Sequence, residues 1–136
     1  MTNTNFLAWI DLEMTGLDPN AERIIEIFTA VTNEDLTEII DGPNIVISQP
    51  QEYIDAMDDW NQTHHSASGL LDRIAIEGVA EREAEAVSLA FIEQYIEAHQ
   101  APLCGNSIWQ DRRFLSRYMP TLERYLHYRM IDGSSV

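Results

Sequence analysis

The chain has 136 residues, 45% of them hydrophobic, enough for one sizeable core, and a single domain over 1–136 is the natural expectation. Its formal net charge of −15, from 23 acidic against 8 basic side chains, argues against a basic stripe that grips long nucleic acid, because backbone neutralisation dominates such binding. No apolar run is long enough to span a bilayer, the polar start Met1-Thr2-Asn3-Thr4-Asn5 lacks the basic segment of a signal peptide, and the single Cys104 excludes an internal disulfide; a cytoplasmic protein is expected.

The apolar run Phe6-Leu7-Ala8-Trp9-Ile10-Asp11-Leu12-Glu13 reads as a first strand, closed at once by the turn-prone Thr15-Gly16-Leu17-Asp18-Pro19. Alternation along a strand puts Leu7, Trp9, Asp11 and Glu13 on one face and Ala8, Ile10 and Leu12 on the other. Both faces look apolar enough to be buried, and two unpaired carboxylates on a buried face are costly, so something cationic is expected between them. An exposed sheet edge with two solvated acids is the alternative.

Arg23 to Thr32 is rich in β-branched residues and reads as a second strand; Leu36 to Ile40 and Pro43 to Ile47 form a third, interrupted at Asp41-Gly42 by a bulge or kink. Helical segments follow around Ile54 to Asp59 and Ser68 to Ile76, then a longer helix from about Ala80 to His99 with Ala84, Val87, Phe91, Ile92, Tyr95 and Ile96 on its apolar stripe. Pro102 to Asn106 is a fourth strand with its turn. Arg112 to Tyr118 is helical, with Phe114, Leu115 and Tyr118 inward, Pro120 opens a short element, and Tyr128 to Ile131 is a fifth strand. Strands first, then helices alternating with strands, indicate a mixed α/β sheet with helices on its faces. Asp132-Gly133-Ser134-Ser135 supplies helix-capping residue types just before Val136, which suggests that the sequence is the N-terminal portion of a longer protein.

Asp111 lies after the fourth strand and near a helix start, where an acid is favoured by the helix dipole for structural reasons alone. Together with Asp11 and Glu13 it could also complete an all-oxygen cage suited to Mg²⁺ or Mn²⁺. A substrate carrying one or two phosphates could be held through such metals despite the acidic surface, so the charge restricts substrate length more than substrate class.

Several motifs agree on a resemblance. Asp11-Leu12-Glu13-Met14-Thr15-Gly16-Leu17, Arg23-Ile24-Ile25-Glu26-Ile27, Met57-Asp58-Asp59-Trp60, Gly105-Asn106-Ser107 with Asp111-Arg112-Arg113-Phe114-Leu115, and His127-Tyr128-Arg129 together resemble the oligoribonucleases, DEDDh exonucleases of the ribonuclease H-like fold. The resemblance covers roughly Phe6 to Ser135 in the family's order. It implies a five-stranded mixed sheet with helices on both faces, and a 3′-to-5′ exoribonuclease that degrades very short RNA, dinucleotides above all, to mononucleotides by two-metal hydrolysis. By the same matching, Asp11, Glu13 and Asp111 would hold the two ions. Leu17 and Trp60 would stack against or wedge the bases, and His65, Asn106, Ser107, Tyr128 and Arg129 would hold the 5′ end, the last two coming from a partner subunit of a homodimer.

The family also carries a base histidine and a fourth carboxylate in a His-x-x-x-x-Asp motif near its C-terminus, a region this sequence stops short of. His127 and Asp132 have the spacing, but five residues apart they face opposite sides of a strand, or stand about 140° apart on a helix, and the matching places them at the fifth strand. Gly133 stands where the family carries an apolar residue. With three of four metal carboxylates and no base, the chain as given is expected to bind metal weakly and turn over little, and the loss of C-terminal helices would expose apolar sheet surface. A catalytically dead nucleotide-binding or dimerisation module of the same fold, and a DNA-processing exonuclease, are the competing readings.

Overall fold

The computed structural model describes residues 6–133. Chain order is β1 (Phe6–Met14), β2 (Ile24–Asn33), β3 (Ile39–Val46), α1 (Gln51–Asp55), α2 (Asp59–Ala67), α3 (Leu70–Glu77), α4 (Glu81–Glu93), β4 (Pro102–Gly105), α5 (Ile108–Tyr118), α6 (Pro120–Tyr125) and β5 (His127–Asp132). The strands form one five-stranded sheet in the order β3-β2-β1-β4-β5. β1, β2 and β3 run as an antiparallel meander, while β4 lies parallel to β1 and β5 parallel to β4. This is the mixed sheet the sequence pattern implies.

The central strand, β1, is paired unequally on its two sides. It matches β2 from Phe6↔Asn33 to Met14↔Ile24, but meets β4 only at Ala8↔Leu103 and Trp9↔Cys104. Its last residues therefore leave one backbone edge open, and the consequence for the site is taken up below. In β3 the expected interruption is a bulge: Phe28 and Ala30 of β2 face Asn44 and Asp41, so Gly42 and Pro43 share the space of one residue.

The alternation along β1 is as expected, but only one face is closed. Ala8, Ile10 and Leu12 are buried in a core with Ala84 and Ile92 of α4, Ile108, Phe114 and Leu115 of α5 and Leu122 of α6. The other face carries Leu7, Trp9 and Glu13 half-buried and Asp11 exposed, which corrects the expectation that both faces are covered. The helices on that side, α2 and α3, sit over one corner, where Ile25, Val46 and Leu70 form a small second cluster, and do not reach the middle of β1.

Helix boundaries also differ from expectation. α4 ends at Glu93 instead of near His99, because the chain turns through residues 94–100 and His99 takes a left-handed φ of 66°. Val87 is exposed; Ser88 takes the inward position on that turn. α2 lacks an apolar stripe and begins at a cap, with the Asn61 N–H donating to Asp58 Oδ1 at 2.8 Å. Among the described residues no helix is long and apolar enough to cross a membrane.

The β3 bulge has a steric requirement. A Cβ on Gly42 would stand 2.5 Å from the Phe91 ring of α4 and 2.7 Å from the Thr29 carbonyl oxygen. Gly42→Ala should therefore destabilise the fold by about 1–3 kcal/mol. Urea denaturation measures this, and an unchanged midpoint would show that β3 does not need the close approach of α4.

Candidate functional site

The site is built where β1 runs out of partners. Beyond Trp9 the strand no longer pairs with β4, and the Leu12 N–H donates instead to Asp111 Oδ2 at 3.3 Å, from the first turn of α5. Leu12 lies between Asp11 and Glu13, so the bond draws the third carboxylate to the other two. Asp111 is 6% exposed. Burial pushes its carboxyl up to about 7, the Leu12 N–H opposes the rise, and Asp11 and Glu13 add to it. Asp11 and Glu13 are raised as well, each first by burial; Glu26 adds to the rise at Asp11, and Asp11 and Glu26 add to it at Glu13.

Raised acids, with Asp11 lifting Glu13 and both lifting Asp111, are a set that a cation would relieve. Oxygen donors only and partly desolvated, the three suit a hard divalent ion by type. Glu26, opposite Glu13 across the β1–β2 ladder, is held by Arg73 at 3.0 Å, so this fourth acid has its own counter-charge. Beside the carboxylates stand two histidines of α2: one donor atom each from Glu13, His64 and His65 lies within 4.8 Å of the others, and among the described residues this set, not the three carboxylates, is close enough as it stands to hold a metal.

The start of α5 is fixed by long-range contacts. Ser107 takes a left-handed φ of 50° and its N–H donates to Asp132 Oδ1 at 3.0 Å, tying α5 to the end of β5. The helix therefore begins at Ile108, four residues before the expected Arg112, and Asp111 sits within it. Gln110 uses its buried amide twice, donating to the Leu17 carbonyl at 2.6 Å and accepting from Arg113 Nη1 at 2.9 Å.

The loop between β1 and β2 is braced at both ends. Thr15 Oγ1 donates to Glu22 Oε2 at 2.8 Å and accepts from the Arg23 N–H at 3.0 Å. The Arg23 guanidinium lies 4.1 Å from the centre of the Tyr53 ring and 4.9 Å from that of Tyr118, and donates 2.7 Å hydrogen bonds to both hydroxyls. Tyr118 in turn donates to the Pro19 carbonyl. Leu17 projects from this braced loop 75% exposed.

Trp60, on the first turn of α2, is 66% exposed and so is not a core anchor of that helix; the His64 ring stacks on it, centroids 4.6 Å apart and planes at 14°. His65 is 2% exposed, not the surface residue that a neighbour of His64 could equally have been. Its Nε2 is 3.0 Å from the Met14 carbonyl, its Nδ1 has no protein partner, and burial lowers its pKa. Asn106 and Ser107 are exposed at the turn between β4 and α5, and Arg129 is exposed on β5. Tyr128 has its backbone in β5, and its side chain lies outside the described residues. His127 and Asp132 pair with Pro102 and Gly105, at opposite ends of β4, so they do not meet. Glu26, His64, Gln110 and the Arg23 sandwich were not picked out from the sequence. For Gln110 the cue was its place beside Asp111, and for His64 its i,i+4 spacing from Trp60; Glu26 and Arg23 have no local cue, since their partners lie 30 or more positions away.

The profile of the exonuclease family RNase_T matches residues 8–136. The oligoribonuclease of Coxiella burnetii is 57% identical over 130 residues, covering 96% of this chain and 71% of its own. That of Shewanella sp. strain W3-18-1 is 56% identical over 134 residues, 98% of this chain and 74% of its own. Among solved structures, E. coli exonuclease I in complex with a dT13 oligonucleotide aligns with TM-score 0.65 at 14% identity over 94% of this chain, and exonuclease I of Methylocaldum szegediense with TM-score 0.61 at 15% identity over 93%. This chain spans 27% of each of those two, and the likeness is one of fold.

The raised carboxyls set a pH dependence. Asp111 in the folded state holds its proton to about pH 7 but releases it near 3.8 when unfolded, so the folded state binds more protons in between. Its contribution to stability is therefore complete below the unfolded value and is lost as pH rises through the folded one; Asp11 and Glu13 act in the same direction. In chelator, the melting temperature should fall from about pH 4 to about pH 7 more steeply for the wild type than for Asp111→Asn, and Mn²⁺ should restore it most at the upper end of that range. Equal slopes for the two proteins would mean that Asp111 is not the group concerned.

Proposed function

Because this chain belongs to the oligoribonuclease family of exonucleases, we propose that it removes nucleotides from the 3′ end of very short RNA, dinucleotides above all, releasing mononucleotides. The observation that carries the reading is the Leu12 N–H bond that sets Asp111 against the strand segment bearing Asp11 and Glu13, near enough that both acids raise the Asp111 carboxyl. In the proposed arrangement these three carboxylates hold two divalent ions, Mg²⁺ or Mn²⁺. When bound, such a pair supplies an activated water and neutralises charge on the phosphodiester undergoing in-line displacement.

The remaining residues orient the substrate. Leu17 and Trp60 are large apolar side chains left exposed beside the carboxylates, a costly arrangement for solubility and a suitable one for unstacked bases. Gln110 fixes the Leu17 backbone and Asp58 caps the helix that carries Trp60, so both contacts are set before substrate arrives. Asn106, Ser107 and His65 would receive the 5′ end, His65 through its unpartnered Nδ1. Arg129 and Tyr128 would reach a neighbouring protomer's site in a homodimer. A general base and a last carboxylate are implied by the family's His-x-x-x-x-Asp motif, and the opposed positions of His127 and Asp132 argue against their filling that role. Buried, reduced Cys104, its thiol pushed up to about 12, suits a cytoplasmic setting.

The deciding measurement is hydrolysis of a 5′-labelled RNA dinucleotide in Mn²⁺, beside a longer RNA and single-stranded DNA. Cleavage should favour the dinucleotide, and Asp111→Asn should lose about 100-fold or more, since a metal ligand supports several kcal/mol of charge stabilisation. Faster cleavage of long DNA would transfer the protein to the DNA-processing exonucleases. Binding without cleavage would leave a nucleotide-binding module. In an active protein, Trp60→Ala should raise KM for the dinucleotide about 10-fold, the effect of one lost base stack; an unchanged KM would remove Trp60 from the substrate path.

A further inference from the structure

The adjacent histidines of α2 differ from the carboxylates they stand beside. His64 is exposed and stacked on Trp60; His65 is 2% exposed, with Nε2 turned to the Met14 carbonyl and Nδ1 buried without a protein partner. Their rings meet edge-on with centroids 5.2 Å apart. A donor atom of each, together with one of Glu13, falls within a 4.8 Å span. Asp11 and Asp111 offer oxygen only, whereas this group offers two imidazoles and one carboxylate.

The difference in donors matters for the choice of ion. Imidazole nitrogen suits zinc, cobalt and nickel better than magnesium, and two histidines with one carboxylate and an open fourth position make a familiar tetrahedral zinc set. Zinc bonds of about 2.0–2.2 Å place its donors about 3.3 Å apart, so the three groups need to close by at most about 1.5 Å. His64 is exposed and Glu13 only half-buried, so both have room to turn. We propose that Glu13, His64 and His65 form a binding site for a borderline-soft divalent cation of the zinc type, and that its occupation withdraws Glu13 from Asp11 and Asp111. The binding stands by itself; the inhibition that follows from sharing Glu13 rests on the function proposed above.

The test is titration of the metal-free protein with Zn²⁺ by calorimetry, and with Co²⁺ by visible absorption, which separates tetrahedral nitrogen-ligated cobalt from the octahedral oxygen-ligated ion. One equivalent of cobalt should give the intense tetrahedral band. His64→Ala, at an exposed position that the fold tolerates, should lose the band and weaken zinc binding at least 10-fold while leaving Mn²⁺ binding within 3-fold. Asp111→Asn should do the reverse. Zinc affinity unchanged in His64→Ala, or lost equally in Asp111→Asn, would overturn the site by placing zinc elsewhere. In dinucleotide hydrolysis with Mn²⁺, zinc should inhibit the wild type at concentrations 10-fold below those needed for His64→Ala, and equal inhibition would overturn the competition. If no hydrolysis occurs in any metal even when the chain is joined to a relative's His-x-x-x-x-Asp region, the proposed function fails, and the cobalt spectrum still decides the site.

Discussion

One unpaired backbone donor organises this molecule. β1 is the middle strand, yet its neighbour β4 pairs with it at only two positions, so the Leu12 N–H reaches a buried place with no strand to receive it. A buried amide without a partner costs about 1–3 kcal/mol, and the Asp111 carboxylate is the acceptor that removes that cost. The solution brings a third acid near Asp11 and Glu13, where burial and their charges raise its proton affinity. Fold and site are thus in tension: the bond that completes the strand creates a concentration of charge. Such local conflict is what a cation-binding centre requires, and the rest of the fold must supply the stability to sustain it.

That support is visible around the site. The loop after β1 is stapled by Thr15, Glu22 and the Tyr53–Arg23–Tyr118 sandwich, and Gln110 attaches its tip to α5. Glu26 adds a fourth close acid, only partly offset by Arg73, which engages it at 3.0 Å and extends to Asn44 at 2.7 Å. Cations are scarce in this chain, and Arg23 and Arg73 are both spent against groups that border the carboxylates. Charge placement here is local, and the formal total of −15 conceals it.

The strands were legible because their cues are local. β-branched runs marked β1 and β2, and Gly42-Pro43 marked the bulge in β3. The meander also put Asp11 and Glu13 on one face by alternation alone. What escaped the pattern depends on distant contacts. α2 has no apolar stripe and reads as polar loop until Asp58 is seen capping it. α5 starts early because Ser107 is caught by Asp132, 25 residues away. The open face of β1 could not be anticipated from apolar Leu7 and Trp9, since covering depends on where α2 and α3 dock, and they dock over Ile25 and Val46 instead. The three carboxylates were identified by residue type and by family resemblance; what ties Asp111 to their strand is a tertiary contact spanning 99 residues.

The length of that contact governs the order of events in folding. β1, β2 and β3 close through short loops and can form early, whereas Asp111 reaches Leu12 only after β4 and α5 are laid down. Repulsion among the acids then belongs to the native side of the barrier and is absent from the early meander. An ion that relieves it would act on the rate of escape from the native state and leave the rate of arrival almost untouched. A bound ion would then act as a kinetic latch, closing behind a chain that can fold without it.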